Sequence, residues 1–106
     1  MNFKISIIIP CYNAEKWIKQ CVLSALNQDY GDVEVIAVDN ESEDSTHAIL
    51  KDLKKENKNL IISSAKNIYP NCWDEARLEG FKLATGDYLF TLASDDYLSP
   101  SYVTNC

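Results

Sequence analysis

The sequence has few glycines: three in 106 residues, at positions 31, 80 and 86. It contains no GxGxxG motif after its first apolar run and no GxxxxGK[ST] motif anywhere. Dinucleotide-binding domains and P-loop enzymes need those glycines to bring backbone N–H groups against a phosphate. The sequence therefore excludes both kinds of backbone phosphate site.

Histidine is nearly absent and the cysteines are scattered. His47 is the single histidine, and the four cysteines include no CxxC pair. Metal-binding and redox motifs place their cysteines and histidines at short, regular spacings. We therefore expect unreactive thiols, with no zinc site, redox motif or disulfide framework. The cysteines are Cys11, Cys21, Cys72 and Cys106.

Long apolar runs and excess positive charge are also missing. The longest apolar run, Ile5 to Cys11, is far shorter than the roughly 20 residues that cross a bilayer. The N-terminus shows no cleavage pattern of a signal peptide. The net charge of −6 disfavours extended contact with a nucleic-acid backbone, which requires a cationic surface. We expect a cytoplasmic protein with no membrane segment in this chain and no nucleic-acid partner.

Apolar residues make up 46% of the chain, which is typical of a globular domain. β-Branched runs and helical spacings alternate along it in the order β-α-β-α-β-α-β. Such alternation predicts one α/β domain with a parallel sheet and helices on its faces. The predicted strands are Lys4–Pro10, Val33–Val38, Leu60–Ser63 and Tyr88–Leu92. Helices are predicted over Ala14–Gln28, after Asn40–Ser45, over Asn71–Ala84 and from Ser99–Pro100 onward.

The first predicted helix has clear boundaries. Pro10 ends the strand before it because proline has no N–H to donate to a ladder. Asn13 stands at the N-cap position, and the segment Asp29–Gly31 ends the helix. Its apolar residues fall at helical spacing and are Trp17, Ile18, Cys21, Val22, Ala25 and Leu26. Trp17 is thus assigned to the apolar side of an amphipathic helix.

Polar side chains follow three of the predicted strands. Tyr12 comes after the first strand, Asp39 after the second, and the pair Asp95-Asp96 after the fourth. In an open parallel sheet, ligands bind beyond the carboxyl ends of the strands, so these side chains are expected around one rim. Each also has a purely structural explanation, as a turn residue, a helix cap or a solvated turn. The residues alone leave both explanations open.

The pair Asp95-Asp96 indicates a metal ion. Two adjacent carboxylates repel each other and need water or a cation between them. Aspartate oxygens suit Mg²⁺ or Mn²⁺, which commonly bridge a protein carboxylate and substrate phosphates. Because the chain lacks a glycine-rich phosphate loop, a metal bridge is the remaining route by which it would hold a diphosphate.

Five segments of the chain follow the pattern of a known family in order and spacing. They are Ser6–Glu15, Cys21–Gln28, Val38–Thr46, Ala84–Tyr88 and Leu92–Leu98. Together they resemble the inverting family 2 glycosyltransferases of polysaccharide biosynthesis. The resemblance implies a GT-A-type fold, which is a three-layer, Rossmann-like parallel sheet with helices on both faces. It also implies transfer of a sugar, with inversion, from a nucleotide-diphospho-sugar (UDP-linked) to an acceptor hydroxyl.

The resemblance assigns four residues to the base end of the nucleotide. Tyr12 would lie near the base, with the backbone of Pro10 and Cys11 beside it. Asp39 would hydrogen-bond the base, which is typically uracil in this family.

The remaining assignments concern the diphosphate and the acceptor. Arg77 would lie near the donor phosphates, with a solvated helix charge as its structural alternative. Ser94 belongs with the nucleotide-binding residues. Asp95 would bind the divalent metal, Mn²⁺ or Mg²⁺, and Asp96 would face the acceptor side.

The chain departs from the family pattern in three places. Ala93 stands where the first aspartate of the usual Asp-Ser-Asp-Asp would be. Asn40 replaces an aspartate after the second strand, and Leu78 replaces an asparagine. The change at Ala93 removes a carboxylate that would help to hold the ribose or the metal.

Family members continue past this acidic segment into an acceptor-binding half that supplies the catalytic base. Residues 1–106 are therefore expected to be the nucleotide-diphospho-sugar-binding part of a truncated domain, nearly inactive alone, with the base beyond Cys106. The acceptor would be a saccharide, a lipid-linked compound or another hydroxyl, met in the cytoplasm or at the inner face of the membrane. A truncated sheet also predicts self-association through its uncovered face.

Two alternatives stay open. A non-catalytic nucleotide-binding or assembly module derived from the same fold would also accommodate Ala93 and the absent half. An unrelated, receiver-like domain would need an acidic pair after the first strand, where this chain has Cys11 and Tyr12.

Overall fold

A computed structural model describes residues 3–28, 32–66 and 72–94, apart from the side chains of residues 72–74. Strands and helices alternate through these ranges. The strands are β1 (Ile5–Cys11), β2 (Val33–Asp39), β3 (Leu60–Ser64) and β4 (Tyr88–Thr91). The helices are α1 (Ile18–Leu26), α2 (Thr46–Glu56) and α3 (Cys72–Leu83). The helix predicted from Ser99–Pro100 lies outside the described residues.

The four strands form one parallel sheet in the order β3-β2-β1-β4. Parallel neighbours need a crossover connection, and the helices supply it. The predicted α/β fold is therefore confirmed. In the part of the chain that the structure describes, no helix is long and apolar enough to cross a membrane.

Side chains of β1 point alternately to the two faces of the sheet, and both faces are covered. Ile7 and Ile9 pack with α1 and α2 in the larger apolar cluster. Ile8 packs with Ala76 of α3 in a second cluster on the other face. A strand buried on both faces is what an uninterrupted β-branched run predicts. The three layers with helices on both faces are confirmed.

A glycine allows α3 to approach the sheet closely. A Cβ atom at Gly80 would stand 2.5 Å from Cγ2 of Ile8, closer than real Cβ contacts come. Since protein interiors are close-packed, a larger residue at position 80 would push the helix and the sheet apart. The position of α3, and of the residues it carries to the end of the sheet, depends on this contact.

The first strand does not end at Pro10 as predicted but continues through it to Cys11. Ile5 and Cys11 hydrogen-bond on the β2 side, to Asp32 and Asn40, and Ile8 accepts from Leu92 on the β4 side. Alternate residues of a parallel strand bond to opposite neighbours, so Pro10 lies on the β4 side. The ladder between β1 and β4 ends at Ile8. Pro10 faces the side where this ladder has already ended, so its missing N–H breaks no ladder bond.

The first helix begins later than predicted. Residues 15–17 form a turn, and the regular helix spans Ile18–Leu26 instead of Ala14–Gln28. Asn13 is not the N-cap, because its side-chain oxygen accepts a hydrogen bond from the N–H of Glu43 at 2.8 Å. Trp17 takes the cap position and is 47% exposed, so its assignment to the apolar side of the helix was wrong. The buried residues of α1 are Ile18, Cys21, Val22 and Ala25.

Strand β4 forms one edge of the described sheet and is largely exposed. Tyr88 is 52% exposed and Leu89 is 44% exposed. The ring of Phe3 packs edge-on against that of Tyr88, with 5.2 Å between the ring centroids. Self-association through this face stays a prediction.

A buried carboxylate joins three segments at the amino ends of the strands. Glu34 of β2 accepts hydrogen bonds from the Ser6 hydroxyl and from the N–H of Thr85, the latter at 2.7 Å. The ammonium of Lys4 lies 3.5 Å from the same carboxylate. A Cβ at Gly86 would stand 2.8 Å from the backbone nitrogen of Ser6, so the turn before β4 fits only with glycine there. Glu34 thus ties this turn to both central strands.

The environment of Glu34 links stability to pH. Burial acts to raise its pKa, but the hydrogen bonds from Ser6 and Thr85 and the charge of Lys4 outweigh burial, so this pKa is lowered. A carboxylate whose pKa is lowered in the folded state stabilises the fold above its unfolded-state pKa. That stabilisation is lost as the pH falls through the folded-state pKa.

We expect Glu34→Gln to lower the free energy of unfolding near neutral pH by about 1.5–3 kcal/mol, the scale of hydrogen bonds to a charged group. Urea denaturation of the native chain and the variant measures this difference. Below the folded-state pKa both side chains are neutral, so the difference should shrink. Glu56→Gln, at an exposed position of α2, is the matched control and should change stability little. An equal loss for Glu34→Gln at neutral and acidic pH would contradict the assignment.

Candidate functional site

The carboxyl ends of β1, β2 and β4 lie side by side, because the three strands are parallel and adjacent. Tyr12 follows β1 directly, and Asp39 is the last residue of β2. Ser94 comes shortly after the end of β4. The structure therefore brings these three predicted residues to one rim. Asp95 and Asp96 lie outside the described residues.

A cavity of about 630 Å³ opens at this rim. Ligand sites commonly measure roughly 300–1,000 Å³, so the size suits a small molecule. Its lining comes from the ends of β1 and β4, from the segment before α1 and from α3. The described lining residues are Pro10, Tyr12, Ala14, Trp17, Arg77, Thr91, Ala93 and Ser94. Four of the residues that the family resemblance selects are thus gathered in one cavity: Pro10, Tyr12, Arg77 and Ser94.

Arg77 brings a positive charge to the cavity from α3. The preceding residue, Ala76, is buried against the sheet and fixes this part of the helix, whereas Arg77 itself is exposed. Within the described lining, Arg77 is the only Lys, Arg, Asp or Glu side chain. The guanidinium fork matches phosphate oxygens, so Arg77 supplies the described lining with a group suited to an anion.

Asp39 is 5% exposed and is not part of the described lining. One of its carboxylate oxygens accepts a hydrogen bond from the N–H of Ser42 at 3.1 Å. The other lies 3.3 Å from Nδ1 of His47, an ion-pair distance without the alignment of a hydrogen bond. The first contact closes the turn after β2, as the structural explanation of this residue predicts. Contact with a base would use the lone pairs that remain on the carboxylate.

Cys11 and Cys21 are buried next to the rim and form no disulfide. The Cys11 thiol donates to the carbonyl of Ile9 at 3.2 Å, and the Cys21 thiol donates to the carbonyl of Ala93 at 3.4 Å. Burial raises the pKa of the Cys11 thiol, and the neighbouring Cys21 and Asp39 raise it further. The Cys11 thiol therefore stays protonated, and both thiols contribute to packing.

The loops after β1 and β2 are joined by hydrogen bonds between residues 13–15 and 42–46, here called the loop bridge. The N–H of Asn13 donates to the Ser42 hydroxyl at 2.9 Å, and the Asn13 side chain accepts from Glu43. Asn13 and Glu41 both have left-handed backbones, with φ of 47° and 57°. Asparagine adopts this conformation comparatively readily, but it is unfavourable for glutamate, so Glu41 is the strained position of the two.

Thr46 lies at the centre of the loop bridge and is fully buried. Its hydroxyl accepts the N–H of Ala14 at 2.8 Å and donates to the carboxylate of Asp44. Asp44 also accepts the N–H groups of Thr46 and Glu15. Partial burial acts to raise the pKa of Asp44, but these hydrogen bonds together lower it. The segment that carries Tyr12 to the cavity is thereby fixed to the start of α2.

Sequence reasoning missed three residues of the lining: Ala14, Trp17 and Thr91. Trp17 fits helical spacing, which is typical of a core position, and its displacement follows from the loop bridge, a contact between distant segments. The one available signal was that Trp17 stands close in sequence to the end of the first strand.

The described residues include no group of three or more His, Cys, Asp or Glu side chains arranged to hold a metal ion. Ala93, in the lining, offers no carboxylate either. A site with three such ligands would therefore need residues outside the described ranges.

Comparison with known proteins agrees with the fold. The model of glycosyl transferase family 2 matches residues 6–106. The chain belongs to this family.

Individual relatives are longer than this chain. The poly(ribitol-phosphate) beta-glucosyltransferase of Bacillus spizizenii is 37% identical over 97 residues, which make up 90% of this chain and 15% of that protein. The solved structure of S. aureus TarS 1–349 has a TM-score of 0.83 at 30% identity and covers 96% of this chain and 30% of that one. TarS 1–349 has also been solved with UDP and with UDP-GlcNAc.

The mannosyltransferase PcManGT of Pyrobaculum calidifontis, solved with GDP-Man and Mn²⁺, shares the fold. Its TM-score is 0.82 at 21% identity, and the match covers 99% of this chain and 31% of that one. The GT-A-type architecture implied by the sequence is confirmed by these neighbours.

The loop bridge can be tested by removing one hydroxyl group. Thr46→Val keeps the shape of the side chain but leaves the buried N–H of Ala14 without this acceptor. We expect the free energy of unfolding to fall by about 1–3 kcal/mol, the cost of an unsatisfied buried polar group, as measured by urea denaturation. Thr46→Ser retains the hydroxyl and is the matched control. Equal stability of the two variants would show that the bridge does not depend on this bond.

Proposed function

We propose that this chain is the donor-binding part of an inverting glycosyltransferase that takes its sugar from a UDP-linked donor. The observation that carries the proposal is the cavity at the carboxyl ends of β1 and β4, where Tyr12 and Arg77 meet. The cavity thus combines an aromatic ring, which suits a base, with a cation, which suits a diphosphate. Membership in glycosyl transferase family 2 supports the same assignment.

The base would lie against Tyr12 and Pro10. Tyr12 is half-buried, and Pro10 lines the cavity beside it, so the two offer an apolar surface at the end of β1. Flat aromatic bases stack on such side chains. Asp39, at the end of the adjacent strand, would accept a hydrogen bond from the base. TarS, a similar protein solved with UDP and UDP-GlcNAc, supports uracil as that base.

The diphosphate would lie at Arg77 and Ser94. In an inverting transfer, an acceptor hydroxyl attacks the anomeric carbon while the bond from that carbon to the diphosphate oxygen breaks. Negative charge therefore grows on the leaving nucleoside diphosphate, and Arg77 would stabilise it there. The proton of the acceptor hydroxyl passes to a base, and no described residue of the lining is a carboxylate or histidine that could take it.

A divalent metal, Mn²⁺ or Mg²⁺, would be held by Asp95, with Asp96 towards the acceptor. When bound, such an ion neutralises part of the charge on the leaving diphosphate. Ala93 leaves the site with one carboxylate fewer than its family pattern has. We therefore infer that metal binding is weaker here and is strengthened by the diphosphate itself.

A second candidate is a non-catalytic nucleotide-binding or assembly module. It is favoured by Ala93 and by the lack of an acidic or histidine side chain in the described lining. Such a module would keep the apolar contact with a base but would not need the metal.

Calorimetric titration with UDP and with uridine tests the assignment of Arg77. In the presence of Mn²⁺, we expect Arg77→Gln to weaken UDP binding about tenfold, because one charge-assisted contact to phosphate is lost. Uridine has no phosphate, so its affinity should not change. Lys82→Gln, at an exposed position of the same helix, is the matched control and should affect neither ligand. Equal losses for UDP and uridine would contradict the assignment.

The same titration separates the two candidate functions. Mn²⁺-dependent binding of UDP that disappears in Asp95→Ala supports the donor site of a transferase. UDP binding that is indifferent to Mn²⁺ and to Asp95→Ala favours the non-catalytic module. A native chain that binds no nucleotide under either condition would refute the donor site.

A further inference from the structure

Trp17 is an exposed tryptophan in the wall of the cavity, and it does not pack in the described core. The side chain is 47% exposed and belongs to neither of the apolar clusters that pack the helices on the sheet. It nevertheless lines the cavity together with Tyr12 and Arg77. A large apolar side chain kept in solvent at a concave site is typical of a binding surface.

The backbone of Trp17 is held on both sides. Its N–H donates to the carbonyl of Ala14 at 2.9 Å, and its carbonyl accepts the N–H of Cys21 at 3.0 Å. Ala14 is fixed in turn to Thr46 by the loop bridge. A ligand that meets the indole therefore does not first have to order a loop, which lowers the entropic cost of binding.

The other features of the cavity already have counterparts in a nucleotide sugar. Tyr12 is assigned to the base and Arg77 to the diphosphate. A nucleotide sugar carries a further ring, the sugar itself, whose C–H groups form an apolar face and whose hydroxyls form a polar rim. Thr91 and Ser94 add hydroxyl groups to the same lining. Neither Tyr12 nor Arg77 is assigned to the apolar face of the sugar ring. The indole of Trp17 is an apolar surface that matches this face.

We propose that Trp17 is a stacking platform for a pyranose ring in this cavity. The inference rests on the proposed function, because it takes the cavity to be a nucleotide-sugar site. Aromatic rings favour flat, apolar partners beyond the gain from buried area, and tryptophan offers the largest such surface. The ring can come from the donor sugar or from a sugar of the acceptor, and both present the same chemistry to the indole.

Calorimetric titrations of the native chain, Trp17→Leu and Trp17→Phe test the platform. The ligands are UDP, UDP-GlcNAc, and cellobiose in the presence of UDP, all with Mn²⁺. If the donor sugar stacks on Trp17, Trp17→Leu should weaken UDP-GlcNAc about three- to tenfold more than UDP, the scale of one aromatic contact. Trp17→Phe keeps an aromatic ring and should recover part of the loss. If the acceptor sugar stacks there, the loss appears for cellobiose instead.

Phe3→Leu is the matched control, because it removes another exposed aromatic ring, 42% exposed, at the opposite end of β1. It should leave all three affinities unchanged, and circular dichroism checks that each variant is folded. A native chain that binds UDP, with no selective loss of either sugar ligand in Trp17→Leu, would overturn the platform and leave the proposed function standing. A native chain that does not bind UDP would overturn both.

Fluorescence gives an independent reading. The sequence has a second tryptophan, Trp73, and a Trp73→Phe background isolates the emission of Trp17. A ring stacked on the indole removes water from it, so the emission should shift to the blue with UDP-GlcNAc or with cellobiose, and not with UDP alone. An emission that responds to UDP alone, with no further change on adding either sugar, would contradict the platform.

Discussion

The parallel alignment of β1 with its two neighbours is the constraint on which the rim depends. In this alignment, Cys11 pairs with Asp39, and the ladder to β4 ends at Ile8. Because the strands run in the same direction, the loops that follow them all leave the sheet at the carboxyl ends of the strands, where the cavity opens. In an antiparallel neighbour, the loop after the strand would lie at the opposite end of the sheet. For this reason Tyr12 and Ser94, which are far apart in sequence, line the same cavity.

The contacts at the amino ends of the strands differ in kind from those at the carboxyl ends. At the amino ends, Glu34 collects hydrogen bonds and a positive charge, and these contacts serve stability. At the carboxyl ends, polar groups face a cavity, and Glu41 in an adjoining loop has an unfavourable left-handed backbone. The loop bridge holds these loops, with Thr46 at its centre. Strained backbone conformations commonly cluster at functional sites, whereas the rest of a fold packs without strain.

The regular part of this fold could be predicted from the sequence because its signals are local. The β-branched runs and helical spacings indicated all seven described elements. Two predictions that failed, the end of β1 and the cap of α1, involve contacts between distant segments. Pro10 stays inside β1 because the ladder on its side has ended, which no local pattern reveals. Asn13 does not cap α1 because its side chain is engaged by Glu43, a residue of a different loop. Trp17 has the spacing of a core residue, and only the position of the finished loop places it in the cavity wall.

Amide chemical shifts test most directly the claim that a nucleotide binds at the carboxyl ends of the strands. UDP and Mn²⁺ are titrated into the ¹⁵N-labelled chain, and the shifted resonances are assigned. We expect the largest changes at Tyr12, Ser94 and the loop bridge, with little change at Thr85 and Gly86 at the opposite end of the strands. Changes centred on Thr85 and Gly86, or no changes at all, would contradict it.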